Sequence, residues 1–220
     1  MQVPPDVRPT LWRSCRVLAN HRRLEIFDFL LRNPDQTVSS VARNEGLTEP
    51  VASEYLRLLE SRGFLESRRV GRYVKYRVAS TDRIHFNVGL VRVLRLIFER
   101  NRKSGRAIFR LVTGFTHPRR IDIVRALRVG SMSVNQLRSF TEISIPALRR
   151  HLMKLERRGF IKHRQGVYSV ARRFGPLQRE LVRLAQIDVS DLGESSRSVA
   201  SVGLGDGPHF TKCEHAAGER

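Results

Sequence analysis

A chain of 220 residues, 40% of them apolar, suffices for one large or two small cores. Lysine and arginine outnumber aspartate and glutamate by 41 to 21, a net charge of +20 that points to a polyanion, nucleic acid first, with a genome-wide taste for arginine as the bland alternative. Cys15 and Cys213 are too few for a disulfide framework, "MQVPPDVRPT" lacks the apolar run of a secretion signal, and the most apolar stretch, 86–98, is too short to span a bilayer and contains Arg92 and Arg95.

In chain order, "LWRSCRVLA" (11–19) is predicted as a flanking helix, with Cys15 on its apolar side as packing. "RRLEIFDFLL" (22–31) spaces Leu24, Phe27, Leu30 and Leu31 for one helix face. "NPDQ" (33–36) reads as a turn, and 37–46 as a short helix capped by Thr37 and ended by Gly46. The next helix, 47–63, has Thr48 as its N-cap, Pro50 in its first turn and Gly63 as its C-cap. Ala52, Leu56 and Leu59 form its core stripe, which leaves Glu49, Ser53, Glu54 and Arg57 facing outward. The period then changes from 3.6 to 2: "FLESRRVGRYVKYRV" (64–78) is a hairpin turning near Gly71. Val74, Tyr76 and Val78 are placed on its inner face, and Arg68, Arg69, Arg72 and Lys75 make the wing basic.

Helix, short turn, helix and basic hairpin make a winged helix-turn-helix. A helix fits the major groove, and a cationic hairpin beside it can follow phosphates or enter the minor groove. Residues 47–78 resemble the ArsR-type winged helix-turn-helix of bacterial repressors at Leu47, Thr48, Pro50, Ser53, Leu56, Leu59, Gly63, Phe64, Leu65, Tyr76 and Arg77. Tyr55 stands where that family usually has histidine. The resemblance implies dimerisation through terminal helices. Several family members sense metals through cysteines in the first helix of the motif, and here 37–46 has none.

The pattern then recurs. "TEPVASEYLRLLESRGFLESR" (48–68) and "SIPALRRHLMKLERRGFIKHR" (144–164) align at an offset of 96. The helix 86–101 closes the first unit and is apolar nearly all round, as an inter-unit interface is; burial within its own unit is the alternative. In the second unit, 107–115 matches 11–19, 117–130 matches 20–33, Ser133 and Gln136 form a capping box, and Leu148, Leu152 and Leu155 repeat the core stripe. His151 restores the family's usual histidine. The shorter wing, 161–170, is followed by a helix over 175–187. Ser144, Arg149, Arg150 and Lys154 face outward from the second helix of this unit's motif, the counterpart of 47–63, and Lys162 and Arg164 lie on its wing.

The predicted fold is mainly α with small β-hairpin wings, as tandem winged helix-turn-helix domains over 10–101 and 105–187. A disordered tail is expected over 188–220, where His209, Cys213 and His215 are three weak candidates for metal ligands. No cofactor, metal or catalytic site is expected. The expected partner is double-stranded DNA, bound by a homodimer or an intramolecular pseudo-dimer, in the cytoplasm and with the nucleoid, away from any membrane. Repressor-like transcriptional regulation, without catalysis, is the leading function; replication initiation, chromosome organisation and a protein-binding adaptor are the other classes. The glutamates of the first helix against the +11 of residues 116–173 rank the second unit as the stronger reader.

Overall fold

The computed structural model describes residues 10–82 and 85–187, so the predicted tail with His209, Cys213 and His215 lies outside the described residues. The first half runs α1 (Leu11–Leu18), α2 (His21–Arg32), β1 (Gln36–Thr37), α3 (Val38–Glu45), α4 (Glu49–Glu60), β2 (Leu65–Val70), β3 (Tyr73–Val78) and α5 (Val88–Arg100). The second runs α6 (Gly105–Val112), a 3-10 turn (Thr113–Phe115), α7 (Pro118–Val129), β4 (Met132–Ser133), α8 (Val134–Thr141), α9 (Ile145–Arg157), β5 (Ile161–Arg164), β6 (Val167–Val170) and α10 (Pro176–Gln186). The described residues are therefore mostly helical with two small antiparallel sheets, and one element order occurs twice.

Side-chain caps fix where these helices start, by satisfying amides that the first turn leaves unpaired. Asn20 Oδ1 accepts from the Arg23 amide, Thr37 Oγ1 from Ser40, and Ser133 Oγ from Gln136, whose side chain returns a bond to the Ser133 amide. Thr48 holds the N-cap place of α4 as expected, but its side chain makes no capping bond; Pro50 in the first turn already removes one amide. The helix stops at Glu60 and not at Gly63. Gly63, at φ +69°, still supplies the expected left-handed close, since its amide reaches Glu60 O and the Phe64 amide reaches Leu59 O.

Each sheet has a third strand that periodicity did not disclose. Gln36 belongs to β1, which pairs with β3, giving the order β1-β3-β2; β4 does the same in β4-β6-β5. Two-residue strands carry no readable alternation. Within the wing, Leu65 pairs with Val78 and Val70 with Tyr73. Tyr76 and Val78 are buried, but Val74 is 40% exposed, because the hairpin has by then projected beyond the helices that would cover it.

The apolar stripes converge on one core. Ala52, Leu56 and Leu59 are fully buried, as are Leu148 and Leu155. Phe64 and Phe160 anchor the roots of the two wings, and Cys15 is enclosed, so its thiol is pushed far up and stays protonated. The halves share this core: α5 packs on α10, and α6 packs on α1 and α2. The helix α5 serves both of its expected roles, since Phe98 meets Phe27 of α2 at 6.0 Å while another side meets α10. Its Gly89 lets α10 approach: an added Cβ would lie 1.9 Å from Glu180 Oε1. The buried Asn87 amide donates to Ser14 Oγ (2.9 Å) and Arg62 O (2.7 Å), tying the entry of α5 to α1 and to the end of α4.

Gly114 is the tightest backbone approach to a fixed side chain, because a Cβ there would sit 2.6 Å from Phe160 Cε2. The Phe160 ring is fully buried and cannot swing into solvent. Gly114→Ala is expected to cost about 1–3 kcal/mol through overpacking. Urea denaturation checks this; an unchanged midpoint would contradict the packing.

Candidate nucleic-acid interface

Two short turns set the helix pairs. Gly46, at φ +62°, ends α3 three residues before α4 begins, and Glu142, at φ +56°, takes the same left-handed place between α8 and α9. The buried stripe of each second helix faces the core, so the opposite face is solvent-exposed by geometry.

On α4 that face carries the exposed Glu49, Glu54 and Arg57, with Ser53 half-buried and Thr48 exposed at the helix start. Arg57 is folded back along the helix: its Nε and Nη2 donate to Ser53 Oγ at 3.2 and 2.8 Å. On α9 the face carries Arg149 and Arg150, both exposed, and the half-buried Lys154, with Ser144 exposed at the N-cap. Met153 lies among them, 47% exposed; sequence reading missed it, although it lies one turn beyond Arg149 and in register with Arg57.

The wings differ in charge as much as in length. On the first, Arg68 is spent on Asp35, to which its Nε and Nη2 donate in a fork at 2.9 Å each. Arg77 is likewise paired with Glu66, at 2.7 Å. Arg69 and Arg72 stay exposed near the tip, whereas Lys75 is half-buried in the central strand. On the second wing Lys162 and Arg164 are exposed, and His163 stacks on Tyr168 at 4.3 Å. Among the described residues, no ion pair involves any cation of α9, β5 or β6.

The second helix-turn-helix is therefore an uncompensated cationic surface. Burial first, then Arg158, Arg120 and Arg157, hold the Lys154 ammonium below its ordinary pKa. Mutual repulsion of this kind is relieved when an anion arrives. Behind α9, His117 and His151 pack ring to ring at 4.7 Å, and His117 Nδ1 accepts from the Arg119 amide at the start of α7. Burial, followed by His117, Arg120, Arg119 and Arg150, pushes the His151 imidazole down to about 4.

Protonation of His151 therefore works against folding. With its folded pKa depressed, neutral His151 contributes stability that is complete above the unfolded value of 6.5 and is lost as pH falls towards 4. A His151→Gln variant is expected to lose less stability than the parent between those limits. An NMR titration that places His151 at its ordinary value would contradict the account.

No group of three or more metal-binding side chains is present among the described residues, nor is any helix of theirs long and apolar enough to cross a membrane. Residues 117–163, from the start of α7 into β5, match the model of the family described as bacterial regulatory protein, arsR family. The second repeat thus holds an ArsR-like helix-turn-helix. The chain is 40% identical over 70 residues to the HTH-type transcriptional regulator Rv0324 of Mycobacterium tuberculosis, a match covering 32% of this chain and 30% of that protein. It thus spans about a third of that relative's length. It is also similar, at 32% identity and a TM-score of 0.34, to the solution NMR structure of the homodimeric winged helix-turn-helix DNA-binding domain of Mb0332 from Mycobacterium bovis, a possible ArsR-family transcriptional regulator. That likeness covers 40% of this chain and 78% of the other.

Proposed function

We propose that the chain is a transcription regulator that binds double-stranded DNA through two winged helix-turn-helix units, residues 10–101 and 105–187, joined as an intramolecular pseudo-dimer. The observation that carries the reading is the face of α9, where Arg149, Arg150 and Lys154 lie together with no carboxylate partner among the described residues. A surface helix with that face fits the major groove, where arginine recognises guanine O6 and N7 in a fork. Lys162 and Arg164 on the adjacent wing are placed to take phosphates. The family match on 117–163 and the curated relative's name support the same use.

The first unit contributes less. Glu49 and Glu54 repel phosphate, Arg57 is held on Ser53 and Arg68 on Asp35, so Arg69, Arg72 and Lys75 remain as its wing contacts. Holding two readers on one core raises their effective concentration towards each other. Regulation follows from occupying a promoter, as a repressor does. Selection of bound sequences from a random duplex pool tests the function: an enriched motif is the expected result, and binding without enrichment would move the chain to an architectural role.

A further inference from the structure

Resting on the reading above, the comparison of the two repeats adds a property of the DNA site itself. We infer that one copy of this chain fills a whole operator, and that this operator is not palindromic: its two half-sites differ in sequence, one read by α4 and the other by α9.

The helices α1 and α6 hold equivalent places in the repeats, and so do α5 and α10. Each of these pairs packs together, α1 on α6 and α5 on α10. Contact between equivalent elements is the pattern of a twofold dimer interface, where the same surface meets itself. Here a single chain supplies both sides, and the terminal-helix surface that would recruit a second copy is already covered by the chain's own other half.

A homodimer with a twofold axis presents one face twice and so reads the same half-site twice, which makes its operator palindromic. This chain keeps the buried half of the reading helix and changes the exposed half. At the offset of 96, Leu56 and Leu59 recur as Leu152 and Leu155. On the exposed side, Ser53 has become Arg149 and Glu54 has become Arg150. Arg57 has become Met153, and the charge at this point is replaced by a flexible apolar side chain 47% exposed. Glutamate accepts from cytosine N4, arginine donates to guanine, and an apolar group meets the thymine methyl, so the two faces ask for different bases.

The wings break the symmetry in the same sense. The strands β2 and β3 are six residues each, and β5 and β6 are four. Two more residues carry the first tip about 7 Å further from the core. That tip holds Arg69, Arg72 and Tyr73, against Arg164 near the tip of the second wing.

The test starts from the sequence enriched from a random duplex pool by the full chain. Two palindromes are built from it, each repeating one of its halves in inverted orientation, and all three duplexes are titrated for affinity and for chains bound per duplex. We expect an asymmetric consensus, one chain per duplex, and at least about tenfold weaker binding to both palindromes, since each mismatched base pair alone costs about that much. A palindromic consensus, or a palindrome bound equally well by two chains, overturns the inference while leaving duplex recognition intact. Failure of the pool to enrich any sequence overturns both.

Discussion

Replacing Arg149 and Arg150 together by alanine is expected to weaken binding to the selected duplex by at least about 2 kcal/mol, because a lost base contact costs roughly 1–3 kcal/mol. The same change should relax specificity at the contacted positions if the guanidiniums meet base edges. If they meet phosphates, affinity for a random duplex falls in parallel. Among the described residues neither side chain is held in an ion pair, so both are available without breaking one. Ser53→Ala with Arg57→Ala should cost less, since Arg57 already satisfies two of its donors on Ser53. A larger loss from the α4 pair than from the α9 pair would reverse the ranking of the two readers.

Phe160→Ala is expected to cost about 3–5 kcal/mol of stability, the range for removing a buried aromatic ring. Its ring is fully enclosed, meets Phe115 edge to face at 4.7 Å and lies against Gly114 and Phe174. Partial collapse onto the cavity is limited because the Phe160 backbone is pinned by its bonds with Leu155 and Ala171. The shared core also sets the form of the loss. With α5 on α10 and α6 on α2, unfolding of one half strips apolar cover from the other, so urea should unfold the variant in one transition. Two separate transitions, with the first half unaffected, would contradict a common core.

Much of this fold could be read from the sequence because its strongest signals are periodic or repeated. The stripe of Ala52, Leu56 and Leu59 has one helical reading, and its recurrence as Leu148, Leu152 and Leu155 doubles the signal. The capping box at Ser133 and Gln136 is local chemistry and was equally legible. What stayed hidden depends on residues distant in the chain. Pairing of Gln36 with Tyr76 makes the third strand, and nothing in a two-residue strand announces it. Asp35 and Arg68 lie 33 residues apart, so the neutralised arginine on the first wing could be known only once β1 had brought the turn beside β2. Met153 was passed over for a different reason: a methionine beside a leucine stripe reads as core, and only the helix's orientation exposes it.

The proposed meeting of the second repeat's basic face with duplex DNA is that of a cationic surface with a polyanion. Its most direct test is a titration of the full chain with duplex across a series of salt concentrations. Each phosphate neutralised by a lysine or arginine releases condensed counterions, so log K should fall linearly with log salt. Tight binding at low salt is expected, with a steep negative slope of several units, reduced by roughly one for each phosphate-contacting cation removed. Absence of duplex binding at low salt, or an affinity indifferent to salt, would contradict it.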